Sequence, residues 1–270
     1  MKKSLYTLFF AILATLLFTG GYIRVPRNFS AVGWDLSGNT ILQYKCNDNA
    51  ANTAVTDDGS GATNGTSSTN TSNMSVAGKI NEAFDFTAAS SEYVDCNQTL
   101  QAVYRAPFSI AVWAQPDDGQ PAATQVLFGG KNAAGDRVSI QIETTGKVQV
   151  YYGESTTVIA ETNVAVFPDG ATSMTHIVAT FSATIITIFV DSVAVALDVT
   201  NDGDMTGETM ANYTSLENQF FGAFNNEGAG AVVHFDGIQD DLRVMDKELT
   251  QVEIDGIYNS GTGTESQSGN

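Results

Sequence analysis

The stretch from Phe235 to Asn259 constrains the fold more than any other part of the chain, because it spells one strand, one turn and one capped helix in succession. Ile238, Leu242 and Val244 fall on one side of a period-two pattern, and Gln239, Asp241 and Arg243 on the other, which predicts a half-buried strand. In that register Asp240 points inward with the apolar set. After a turn at Asp246-Lys247, Thr250 and Glu253 have the spacing of a capping box, in which hydroxyl and carboxylate each satisfy an orphan helix N–H. Leu249 and Ile254 sit where a hydrophobic staple would. Ile254, Ile257 and Tyr258 give the helix one apolar edge, and Asn259-Ser260-Gly261 supplies its stop.

Elsewhere the apolar runs are short and rich in Val, Ile, Phe, Tyr and Thr. Turn-forming clusters such as Gly129 to Asp136 and Asn225 to Gly230 separate them, which is the punctuation of hairpins. No internal period argues for a solenoid or propeller. All-β domains commonly reach roughly 200–250 residues, so one domain is expected. Residues 57–73 have no apolar periodicity and read as a loop.

Several segments carry a wider likeness. Phe235-Asp-Gly-Ile-Gln-Asp-Asp-Leu-Arg-Val244 precedes Leu249-Thr-Gln-Val-Glu-Ile254, and upstream lie Leu42 to Ala50, Gly78 to Phe86 and Glu92 to Cys96. Phe108 to Pro116, His176 to Phe181 and Ile186 to Asp191 follow. Together, from roughly Leu42 to Gly261, these resemble the laminin G-like group of the concanavalin A-like lectin/glucanase superfamily. The resemblance implies an all-β fold: a two-sheet antiparallel jelly-roll sandwich with one short C-terminal helix, here preceded by an N-terminal hydrophobic segment. The expected organisation is a signal peptide or uncleaved anchor over 1–21, a spacer over 22–40, the sandwich over 41–261 and a flexible tail over 262–270. Because this superfamily hosts lectins, adhesion domains and hydrolases, the fold alone does not choose a function.

Charge narrows the choice. The net charge is −18, and no acidic residue precedes Asp35, whereas Lys2, Lys3, Arg24 and Arg27 lie there. A surface this acidic repels phosphate backbones, so nucleic acid is not an expected partner. Lys2-Lys3 followed by the apolar run Leu5 to Phe18 reads as an export segment. Leu5 to Ile23 is also close to the ~20 residues that cross a bilayer, which keeps an uncleaved anchor open. Both versions predict a secreted or cell-surface protein. Sequons occur at Asn28, Asn64, Asn70, Asn73, Asn97 and Asn212.

Cys46 and Cys96 each end a predicted strand. In an oxidising compartment a bridge between them would close a loop of about fifty residues and contribute ~4 kcal/mol; the alternative is two separate buried thiols. Two cysteines and two distant histidines lack the spacing of a zinc site. The resemblance implies a calcium ion held by Asp240, with Asp241 as the neighbour able to substitute. The physical argument is that an inward carboxylate is costly unless paired or metal-bound, and the competing reading gives Asp240 backbone N–H donors or a partner in Arg243 or Lys45.

Loops on a rigid scaffold are the expected place for recognition. The candidates are Asn132, Asp136 and Arg137 in one loop and Asn225, Asn226 and Glu227 in another, with Tyr151 or Tyr152 as stacking surfaces. Glu253-Ile-Asp255 imitates half of a glycosidase carboxylate pair, which needs its two acids about 5–5.5 Å apart for retention, but it belongs to the helix. His176 reads as structural. The expected function is therefore a non-catalytic module that binds a glycan or glycoprotein. Its rivals are a structural subunit that self-associates through the N-terminal segment or a sheet edge, and a divergent glycoside hydrolase.

Overall fold

The computed structural model describes residues 33–153, 157–170, 172–206, 216–227 and 229–269. The apolar N-terminal segment and the sequons at Asn28 and Asn212 lie outside the described residues. The principal strands are β1 (Thr40–Tyr44), β2 (Glu82–Phe86), β3 (Phe108–Pro116), β4 (Gln125–Lys131), β5 (Arg137–Ile142) and β6 (Val148–Gly153). They continue with β7 (Val158–Thr162), β8 (Thr175–Phe181), β9 (Ile186–Val190), β10 (Leu197–Asp202) and β11 (Gly237–Met245). A single-turn helix, α1 (Thr71–Met74), and the expected helix, α2 (Gln251–Tyr258), complete the set.

Two sheets face each other. The smaller runs Val193–Ala194, β9, β8, β3, β11, β2 and Ser75–Ala77, with β1 also paired to β11. The larger runs β10, β7, β6, β5, β4 and then through the short strands Phe220–Phe221, Val94–Asp95, Gly65–Ser67 and Ala54–Val55. Pairing is antiparallel apart from Phe224–Asn226, which lies parallel to β4. Between the sheets, Phe108 stacks on Phe181 at 4.0 Å, and Ile110, Val112 and Ala179 meet Phe128, Ile140, Val150 and Ala160. Alternating inward residues from both sheets thus build one core, as in a jelly-roll sandwich.

The outer face of the smaller sheet is covered too. Helix α2 lays Ile254 and Ile257, with Leu249, against Leu36, Ala111, Val178 and Met245. Both halves of the Thr250–Glu253 capping box form, and Asn259 ends the helix in the left-handed region at φ 48°. Tyr258 stacks over Trp113 at 5.7 Å, and His176 lies 4.8 Å from the same indole. His176 is buried, and burial holds its imidazole down at about 3, with the Arg243 charge acting in the same direction; it is a neutral packing residue.

Strand β11 departs from the expected half-buried alternation. Its first residues, Gly237–Gln239, pair with β2, and its last, Leu242–Met245, pair with β1. The change of partner is made by a bulge in its pairing with β3 between Asp240 and Arg243, where Asp241 takes φ 43°. An extra residue in one strand reverses the phase of every side chain beyond it. Gln239 therefore reaches across the core to the Leu127 carbonyl (3.2 Å), Leu242 and Val244 face inward, and Asp240 lies beside the Ile80 N–H on the outer side. The expectation that Asp240 joins the apolar inward set is corrected by this bulge.

The chain ends also differ from expectation. Residues 262–269, expected as a flexible tail, are seated over β11. The buried Arg243 donates to the Ser266 carbonyl (2.9 Å) and to that of Thr264, Gln43 donates to the Glu265 carbonyl (3.0 Å), and Ser268–Gly269 pairs with Trp34–Asp35. A compact unit spans Gly33–Asn270, so its first residue falls within the expected spacer. In the expected 57–73 loop, Asp57 accepts the N–H groups of Gln43, Gly59 and Thr63, which orders the connection around the strand Gly65–Ser67 and helix α1.

Cys46 and Cys96 are both buried and both free, which corrects the disulfide expectation. Cys46 points at the Tyr44 carbonyl and feels the Asp240 and Asp241 carboxylates, whereas Cys96 lies by the Tyr44 ring and Asp95. Tyr44, whose hydroxyl donates to the Cys96 carbonyl (3.3 Å), contacts both cysteines. Burial pushes both thiols well above the ordinary range, so neither is reactive while the protein is folded. Unfolding without reductant, followed by titration with a thiol reagent, should count two thiols; a count of zero would restore the bridge.

Candidate functional site

Cross-strand register assembles a polar surface on the outer face of the larger sheet. Ile140, Val150 and Ala160 align across β5, β6 and β7 and belong to the core. The next positions, Gln141, Gln149 and Glu161, align in the same way and project from the opposite face, because side chains alternate along each strand. Ser139 and Tyr151 form a second rank beside them. Gly129 completes that rank; at φ 151° it has no side chain, and a Cβ there would come within 2.5 Å of the Ser139 Cβ. The two ranks can therefore lie low and close together.

These groups are wired to one another. Gln141 Nε2 donates to Gln149 Oε1 (2.9 Å) and to Glu143 Oε1 (2.5 Å), and Gln149 Nε2 donates to Glu161 Oε2 (2.7 Å). Lys147 Nζ closes one end on Glu161 (2.8 Å) and Asp198 (3.5 Å), and those two carboxylates hold its ammonium above the usual range. At the other end Arg137 donates to Ser139 Oγ (2.7 Å) and Gln141 Oε1 (3.1 Å), while its guanidinium lies 3.8 Å over the Tyr151 ring and 4.7 Å from that of Phe224. A row of amides and carboxylates fixed in this way presents both donors and acceptors without having to reorganise.

The expected loop residues divide. The parallel pairing of Asn225–Asn226 with Gly130–Lys131 brings both candidate loops to one rim of this face. Asn132 and Asp136 are bonded to each other, side chain to side chain at 2.7 Å, and they shape the β4–β5 turn. Asn225 holds the Asn218 carbonyl (2.8 Å) and is likewise buried. Arg137 reaches the polar row, Asn226 is half-buried, and Glu227 is exposed at the rim. Of the two tyrosines, Tyr151 lies on the face, with one side of its ring taken by Arg137, while Tyr152 is in the core and donates to the Tyr104 carbonyl. Gln141, Gln149, Glu143, Glu161 and Lys147 were not among the sequence candidates. The signal available for them was three successive strands that each carry a long polar residue at an outward position, Gln141, Gln149 and Glu161.

Asp240 and Asp241 lie at the opposite sheet. Asp241 forms an ion pair with Arg243 (2.8 Å) and accepts from Gln43 Nε2 (2.8 Å), so its carboxylate is committed to the chain ends. Asp240 accepts one N–H, from Ile80 (2.9 Å), through Oδ2; its other oxygen is buried with no partner among the described residues. Burial pushes this carboxyl up to about 8, with the neighbouring charges of Asp241 and Glu265 adding to the shift. Such an oxygen fits either a proton or a hard cation. Among the described residues no three His, Cys, Asp or Glu side chains gather as metal ligands, so a cation at Asp240 would have at most one further such side chain and would need backbone oxygens besides.

A family model described as the concanavalin A-like lectin/glucanases superfamily matches residues 87–255. No curated protein matches the sequence. Among solved structures, domain 4 of AbnA, an extracellular arabinanase of Geobacillus stearothermophilus determined with arabinotriose, aligns at TM-score 0.56 and 17% identity, covering 84% of this chain and 98% of that one. The binding domain of Paraclostridial Mosquitocidal Protein 1 aligns at 0.57 and 13% identity, covering 84% and 53%. A Trypanosoma rangeli sialidase aligns at 0.55 and 12%, covering 84% of this chain but 34% of that one. At these identities the likeness concerns the fold.

Proposed function

The chain belongs to the concanavalin A-like lectin/glucanases superfamily, and from that membership we propose that it is a non-catalytic extracellular module that binds glycans on the outer face of its larger sheet. The observation that carries the reading is the hydrogen-bonded row Arg137–Gln141–Gln149–Glu161–Lys147, whose fixed amide and carboxylate groups suit vicinal hydroxyls. Support from outside the chain comes from an arabinanase domain of the same fold that was determined with a bound oligosaccharide. Binding rather than hydrolysis is favoured because Glu143 and Glu161 serve as fixed acceptors for the two glutamines. Native electrophoresis through gels containing arabinan, xylan or β-glucan tests it: retardation by at least one polymer is expected, and unchanged mobility in all of them would remove the proposal.

Calcium is proposed to sit against Asp240 and to brace the chain ends. It would not bridge to the sugar, since Asp240 lies on the other sheet. Without the ion, a carboxyl that titrates near 8 when folded and near its ordinary value when unfolded favours the folded state at low pH, and this contribution disappears as pH rises through 8. Between about pH 7 and 8, where His176 is neutral when folded and largely neutral when unfolded, the wild-type chain in chelator should lose stability by up to about 1.4 kcal/mol per pH unit. Calcium should oppose that loss, and Asp240→Asn should abolish both effects. Denaturant melts across this range check it; an unchanged calcium response in the variant would move the ion elsewhere.

The self-association reading keeps one observation of its own. An apolar groove of about 420 Å³, lined by Ile185, Val195, Leu197 and the exposed Val199, lies along edge strand β10. Sedimentation of the full chain would favour that reading if it showed concentration-dependent assembly.

A further inference from the structure

We propose that this face selects neutral glycans and discriminates against anionic ones, an inference that rests on the glycan-binding reading above. The reason lies in how its charges are already matched. Three carboxylates, Glu143, Glu161 and Asp198, border the row, against two cations, Arg137 and Lys147. The Lys147 ammonium lies between Glu161 (2.8 Å) and Asp198 (3.5 Å), so a sugar carboxylate or sulfate that approached it would meet two like charges beside it. The Arg137 guanidinium is stacked on the Tyr151 ring, faces Phe224, and gives Nη2 to Ser139 and Gln141. Neither cation is presented as a bidentate fork to an incoming anion.

Hydroxyl groups meet no such conflict. Each sugar hydroxyl both donates and accepts, and the row offers carboxylate acceptors at Glu143 and Glu161 on either side of the Gln141 and Gln149 amides. A like charge brought against Glu143 or Glu161 is repelled at close range, where burial of the neighbouring Gln141 and Gln149 limits screening by water. The chain's net charge of −18 adds a longer-range repulsion that salt weakens.

The test is titration of the full chain with matched sugars: lactose against 3′-sialyllactose, and arabinotriose, xylotriose and cellotriose against trigalacturonate, at low and moderate salt. At least one neutral member should bind, with its charged counterpart weaker by on the order of tenfold or more, and the gap should narrow as salt rises. Glu161→Gln removes one carboxylate and releases one side of Lys147, so it should narrow the gap further. Equal or tighter binding of the charged sugars, or a gap that Glu161→Gln leaves unchanged, overturns the selectivity while glycan binding stands. Silence across the whole panel, with no retardation in the polysaccharide gels, overturns both.

Discussion

Replacing Arg243 by Ala is expected to cost about 3–5 kcal/mol of stability, because it leaves a buried carboxylate without its counter-charge. Arg243 is fully buried and Asp241 is 3% exposed, so both members of their 2.8 Å ion pair are shielded from solvent. The same guanidinium holds the Thr264 and Ser266 carbonyls, so its loss also releases residues 262–269 and, through Ser268–Gly269, the strand at Trp34. A second substitution separates these contributions. Asp241→Asn keeps a residue that tolerates the left-handed backbone and retains an acceptor for Gln43, but removes the charge. The double variant should therefore cost less than the sum of the two single variants. Urea melts followed by the fluorescence of Trp34 and Trp113 report both regions, and a loss below about 1 kcal/mol for Arg243→Ala would mean that the pair is solvated.

The largest functional effect is expected at Gln149. It stands at the centre of the row, accepting from Gln141 and donating to Glu161, and it is 6% exposed, so it fixes its neighbours more than it offers itself. Gln149→Leu preserves size but leaves one donor and one acceptor unpaired, at a cost of about 1–3 kcal/mol in local order. Affinity for a glycan on this face should fall about tenfold or more, with the melting profile little changed in shape. Substituting Glu227, exposed at the rim, should cost far less. If both variants bind like the wild type, the ligand lies elsewhere.

How far the sequence foretold this molecule depends on whether a feature is local. Helix α2 was legible because Thr250, Glu253, Leu249 and Ile254 specify its start within a few residues, and β3 because Phe108 to Pro116 is one unbroken run. The bulge at Asp241 was not, since it lies where β11 exchanges β2 for β1 as its partner, a fact of the sheet rather than of the strand. The seating of the tail was hidden for a related reason: Thr264, Glu265 and Ser266 are held through their main-chain carbonyls, which carry no sequence signal. Asn132 and Asp136 have the composition of a binding loop but use their side chains to close the turn. The polar row was not legible because each of its members, taken alone, is an ordinary polar residue of an alternating strand, and only register brings Gln141, Gln149 and Glu161 into line.

The most direct test of the account is a glycan array probed with the full chain and with Gln149→Leu in parallel, in calcium and again in chelator. The account predicts that the wild-type chain binds a related set of glycans in both buffers and that the variant loses them. A blank array from folded wild-type protein would contradict glycan binding, and binding that survives in the variant or vanishes in chelator would contradict its placement on the larger sheet.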